Sequence, residues 1–330
     1  MARQLLAILR RRDVLIALQL AFVTVLLASL AYALRGVWAD AVPRLKETRP
    51  LDLGLALAAL AAYYLLFVIG WQWILRTLGV RVSYGVALQA EMASMLAKYV
   101  PGGVWTPAAR IVWLRRFGVD QTSLVLGSIL LEAGLSALAG VFVFVVSLGL
   151  VDAVDAPVVP LAAFAVVLLA LIHPRVFVPL TGSIFRRFGG TAAPSLPYRT
   201  MLGLLAFYAG SWLVGGVALL FILRSLGGEA SVAAIPYLGG TAAVGAIVSV
   251  LTLIAPSGLG VREGSTYALL LTVATEGVAL GVTLVNRLAI TLVEALLLGA
   301  AVLVWGLGRG EGDDPREQAS WPEPDLARRS

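Results

Sequence analysis

An all-α, polytopic integral membrane protein made of two inverted repeats with re-entrant helical hairpins is the fold class this sequence predicts. Three observations predict it. First, 60% of the 330 residues are hydrophobic and only 13% charged, with a mean hydropathy of +0.92. Soluble domains run about 45–50% apolar and about 25% charged, so too few charges are present to cover a globule of this size and lipid is the solvent for most of the chain. Second, apolar runs long enough to cross about 30 Å of hydrocarbon recur along the sequence. Third, one short segment and the features that follow it occur twice. The chain has no cysteine and one histidine, His173. Disulfide scaffolds, thiolate zinc sites, multi-histidine metal sites and histidine triads therefore lack material. No metal, no cofactor and no catalytic residue are expected.

The first span is Val14–Leu34, after Arg10, Arg11 and Arg12. Its 21 residues exceed the roughly 7–15 of a cleavable signal core, so it reads as an uncleaved helix. Leu51–Leu75, Ser123–Leu150, Pro157–Ile172, Met201–Leu223, Ala233–Ile254 and Gly277–Trp305 follow as apolar runs. Two stretches fit poorly: Val82–Val100 carries Glu91 and Lys98, and Ser265–Ala274 is half a membrane thick. Residues 308–330, rich in Gly, Pro and mixed charge, read as a disordered cytoplasmic tail.

Ile74 to Gly79 recurs as Ile222 to Gly227, five identities in six at an offset of 148. Each copy leads to a Pro-Gly loop, Pro101-Gly102-Gly103 first and Pro256-Ser257-Gly258-Leu259-Gly260 second, and then to a long helix with a Glu, Glu132 or Glu294. Residues 1–307 thus form one transmembrane domain, with repeat one at about 51–150 and repeat two at about 201–307. If both loops are re-entrant, six full spans cross, with 18 Lys and Arg inside, Arg287 in the membrane and six outside, among them Arg35, Arg44, Lys46 and Arg49. That asymmetry puts both termini in the cytoplasm and inverts the repeats, a plan common in secondary transporters. Counting both hairpins as complete gives eight spans. The net charge of +6 follows from residues flanking apolar runs, with no basic stretch interleaved with aromatics, so nucleic acid is no partner.

The charges inside the spans carry the functional content. Glu132 lies about ten residues into its helix, about 15 Å deep, with Ser128 and Ser136 four residues to either side. Asn286, Arg287, Thr291 and Glu294 form a second polar stripe. A charge at the bilayer centre costs about 2.5–3.5 kcal/mol on insertion scales. Two readings follow: Glu132 and Arg287 pair to hold two helices together, or these groups line a polar path for a headgroup or ion. At the loops, Thr106-Pro107 reads as an N-cap and first helical residue ahead of Arg110, and Gly258 and Gly260 precede Arg262-Glu263. A helix start beside glycines and an arginine suits a phosphate, although a tight turn with a snorkelling Arg is the alternative. Asp152 and Asp155 have metal-diphosphate spacing but stand alone, His173 reads as interfacial, and Trp71, Trp73 and Tyr84 read as an interfacial aromatic belt.

The stretches from Lys98 through Pro101-Gly102-Gly103 to Trp105 and Arg110, and Pro256 to Glu263, resemble the transmembrane domain of the lysylphosphatidylglycerol synthase/flippase family. The resemblance covers roughly residues 14–307 and implies an inner-membrane protein that handles lipid. Its motifs map here onto the two Pro-Gly loops, Arg110 and Arg262-Glu263, and the expected substrate-binding residues are Lys98, Gly102, Gly103, Arg110, Gly258, Gly260, Arg262 and Glu263. The roughly 25 residues after Trp305 are too few for an aminoacyl-transferase domain, so synthase activity is not expected. The expected function is a flippase for a phospholipid or other anionic or aminoacylated lipid, not an enzyme. Its alternatives are a membrane-embedded transferase on a lipid-linked substrate and a non-transporting partner of an envelope-biosynthesis enzyme. A separate lipid-modifying or envelope enzyme is the protein partner this implies.

Overall fold

The computed structural model describes residues 48–98, 105–150, 175, 196–251 and 260–307. The runs 14–34 and 157–172, most of both Pro-Gly loops with Gly102, Gly103 and Gly258, the Asp152/Asp155 pair, His173 and the tail lie outside the described residues. Among the described residues the chain is helical: α1 Pro50–Thr77, α2 Tyr84–Ala97, α3 Trp105–Arg115, α4 Thr122–Leu148, α5 Tyr198–Ser225, a 3₁₀ turn Val232–Ala234 running into α6 Ile235–Leu251, α7 Val261–Leu270 and α8 Glu276–Leu307. The chain is a polytopic membrane protein. Five of these segments are long and apolar enough to cross a bilayer: α1, α4, α5, Val232–Leu251 and Glu276–Ala301. Helices α2, α3 and α7, at 14, 11 and 10 residues, fall short of the roughly 20 a crossing needs.

The first half runs long, short, short, long and the second long, long, short, long, and α1 and α5 have the same 28-residue length at the same offset of 148. They also stop in the same way. Gly79 and Gly227 adopt φ of 82° and 77°, and the amides of Val80 and Gly228 return to the carbonyls of Leu75 and Leu223. Glycine reaches this left-handed conformation without a Cβ clash and closes the last helical carbonyls. Both helices start beside proline, Pro50 within the first turn and Pro197 just before it, where no helical N–H is lost.

Among the described helices, α1 and α5 make the most extensive pair. Rings of Tyr63 and Phe67 meet Trp212 and Tyr208, with centroids 5.3–5.6 Å apart. Gly70 leaves the space that the Tyr208 ring occupies. The two halves then interlock: α6 packs along α4 of the first half, and α2 packs along α8 of the second. Small residues make the first of these crossings close. A Cβ on Gly240 would stand 2.6 Å from the Phe144 Cα. In lipid such backbone approach supplies the packing that hydrophobic burial supplies in water. The second crossing brings the polar end of α2 against α8, and that decides where the charges meet.

Two local expectations need correction. Thr106 does not cap α3; it is itself helical, with Trp105 before it and Pro107 after it in the helix. Trp71 is not interfacial. It is fully buried, donates to Ser128 Oγ at 2.9 Å and lies under the Arg110 guanidinium at 4.6 Å.

Candidate functional site

Three charge groups lie among these helices. The first joins α2, α3 and α4. Arg110 reaches from the short helix α3 between two carboxylates, with Nη2 on Glu91 Oε1 and Nη1 on Glu132 Oε2, and Nε on Ser94 Oγ at 3.3 Å. Glu91, Glu132 and Arg110 are 2%, 5% and 6% exposed. Burying a charge costs several kcal/mol unless an opposite charge and hydrogen bonds compensate. The two carboxylates, Ser94 and the face of Trp71 do this for Arg110.

The second group bridges the halves. Lys98 at the end of α2 meets Glu294 Oε1 of α8, and Tyr64 of α1 donates to the same oxygen at 2.6 Å. The interlocking of α2 with α8 creates this pair, because residues 196 apart in sequence come together only through that crossing.

The third group is a small half-open cleft at the start of α7, lined by Arg262, Glu263, Thr266, Thr283, Asn286, Arg287 and Ile290. Gly260 has φ of 80° and its N–H donates to Glu263 Oε2 at 2.7 Å, which fixes the helix entry. The other oxygen of Glu263 faces Arg287 Nη1 at 3.3 Å. Thr266 and Thr283 supply hydroxyls to the walls, the latter donating to the Ala279 carbonyl at 2.8 Å. Two guanidinium groups and one carboxylate leave this lining with a formal excess of one positive charge.

The residues singled out from sequence are thus brought together in a pairing different from the simplest one. Glu132 joins Arg110 rather than Arg287, and Arg287 joins Glu263. The guanidinium of Arg110 faces two carboxylates instead of lying open at a helix start. Glu294 belongs with Lys98, Asn286 lines the cleft, and Thr291 donates back to the Arg287 carbonyl at 3.0 Å. Ser128 receives Trp71, whereas Ser136 contributes its carbonyl to Trp212 at 2.8 Å. Sequence reasoning missed Tyr64, Ser94, Thr266 and Thr283, and noted Glu91 only as polar. The signal for Glu91 was available: a carboxylate within a membrane-embedded segment requires a buried cation, and Arg110 is near in sequence.

Among the described residues no group of three or more His, Cys, Asp and Glu could hold a metal ion. Comparison with curated proteins returned no match. The model of one family, described as the lysylphosphatidylglycerol synthase TM region, matches residues 15–299. That match spans the helices, the buried charges and the cleft alike, and the chain belongs to the lysylphosphatidylglycerol synthase transmembrane-region family.

Proposed function

We propose that the protein is a lipid transporter that moves a phospholipid, or another anionic or aminoacylated lipid, across the cytoplasmic membrane, with both termini on the cytoplasmic side. Family membership supports a membrane lipid-related function. The observation that carries the finer reading is the cleft at the start of α7, with its excess positive charge, its hydroxyls and the adjoining helix N-terminus. A headgroup phosphate is the chemistry such a lining recognises: guanidinium groups bind phosphate in a forked geometry and a helix start favours anions. Acyl chains stay in the bilayer while the headgroup crosses between the halves. Lys98, Glu294 and Tyr64 sit where the two halves touch, so rocking of one half against the other opens or closes this contact.

Reconstitution into vesicles with labelled phosphatidylglycerol tests the reading. Arg287→Ala is expected to abolish headgroup movement while insertion and folding persist. Unchanged movement by a correctly folded variant would remove Arg287 from the path. No movement by the wild-type protein, with labelled lipids of several headgroup charges, would favour the non-transporting alternative.

A further inference from the structure

The Glu91–Arg110–Glu132 cluster contains more carboxylate than it contains cation. Arg110 contacts one oxygen of each carboxylate, and the outer oxygens, Glu91 Oε2 and Glu132 Oε1, are buried without a hydrogen-bond donor. A fully buried hydroxyl, that of Tyr208 on α5, is likewise unpartnered. If both acids are ionised, the cluster holds two negative charges against one positive, with no water-exposed face to relieve the excess. An uncompensated charge at this depth is the costly case, and neutralising one acid removes it.

Among the described residues, Arg110 is the one cation paired with Glu91 and Glu132. Facing the cluster, α1 contributes Trp71, whose ring lies under the Arg110 guanidinium. α5 contributes Tyr208. The charged residue of α8 nearest α2, Glu294, is engaged by Lys98 and Tyr64. The ligand that fits the cluster is therefore the smallest cation.

We propose that Glu91 and Glu132 share one exchangeable proton across Arg110, and that its uptake from one side and release to the other drives lipid movement. The coupling half of this rests on the transporter reading; the proton site does not. Loading forms one O–H bond on a carboxylate oxygen with a proton from water, and release returns that proton to water, leaving Arg110 charged throughout. Two coupled acids of this kind titrate as a pair, so the proton belongs to the cluster rather than to either residue.

The test uses the full chain in lipid nanodiscs and reads the carbonyl stretch of a neutral carboxylic acid by infrared spectroscopy across pH. The wild type is expected to show a buried acid band at neutral pH. Glu91→Gln and Glu132→Gln are each expected to lose it, because one carboxylate against one guanidinium needs no proton. A merely structural pair would lose one band or none. Absence of the band in the wild type, or its survival in either correctly folded variant, overturns the proton site, and the wild-type result decides even if a variant misfolds. In a second arm, vesicles with labelled phosphatidylglycerol receive a gradient of one pH unit. Coupling of one proton to one lipid shifts the headgroup distribution by up to about tenfold, and Glu132→Gln abolishes the shift. Lipid movement that ignores the gradient overturns the coupling and leaves the transporter reading intact. The acid band without any lipid movement overturns the transporter reading, and the coupling with it, and leaves the proton site intact.

Discussion

In the first half one guanidinium, Arg110, lies between two carboxylates and against Trp71, sealed from solvent; in the second, Arg262 and Arg287 line a half-open cleft with one carboxylate, Glu263. Both arrangements grow from the same local plan, a short helix after a Pro-Gly loop that carries an arginine in its first two turns. They differ in what stands opposite. Helix α2 presents Glu91 to α3, whereas α6 presents Gly245, whose missing side chain leaves room for Thr266. One half therefore buries an excess of negative charge and the other borders an excess of positive charge. The teaching is that a repeated backbone plan does not repeat a site; the side chains facing the repeated arginine decide which ligand each half suits.

The sharpest break of this comparison is removal of each arginine. Arg110→Ala strands two buried carboxylates and is expected to cost about 3–5 kcal/mol, the range for breaking a buried ion pair. Arg287→Ala is expected to cost clearly less, because Glu263 is partly exposed and keeps the Gly260 N–H. Equilibrium unfolding in mixed micelles compares the two, and equal losses would erase the distinction between sealed and open sites. Next is the contact between halves. Tyr64→Phe removes a hydrogen bond to a buried carboxylate and is expected to cost about 1.5–3 kcal/mol, measured by the same unfolding.

A smaller effect separates the packing of the two hairpins. A Cβ on Gly216 of α5 would collide with the Ile235 carbonyl oxygen and stand 2.7 Å from the Gly239 nitrogen. Gly216→Ala is expected to cost about 1–3 kcal/mol by overpacking. The position 148 earlier is Val68, which α1 already accommodates in its core. The smallest effects probe what the halves share. Gly79→Ala and Gly227→Ala each place a Cβ on left-handed backbone and are expected to cost about 1–2 kcal/mol. Near-equal thermal shifts in the two variants would support equivalence of the two helix ends, and a large inequality would count against it.

Several of these features were legible in the sequence. The five-in-six match around Gly79 and Gly227 marks two helix ends that share one hydrogen-bond pattern. Long apolar runs mark α1, α4, α5, α6 and α8 to within a few residues, since lipid demands such length whatever the partners are. The depth of Glu132 and the polar stripe from Asn286 to Glu294 follow from helical periodicity alone. Trp71 was misread because an aromatic near the end of an apolar run has the same local pattern whether it faces the interface or a buried arginine.

What the sequence by itself determined is therefore the solvent, the helices and the presence of charges that must find partners inside a membrane. Which charge meets which was decided only by tertiary structure. Lys98 and Glu294 are joined by the crossing of α2 with α8, and Glu132 goes to Arg110 because α3 folds back between α2 and α4. Local propensity acts over a few residues, whereas these pairs span 22 to 196 positions. At that range the packing of whole helices, not the order of residues, sets the distance between two charges.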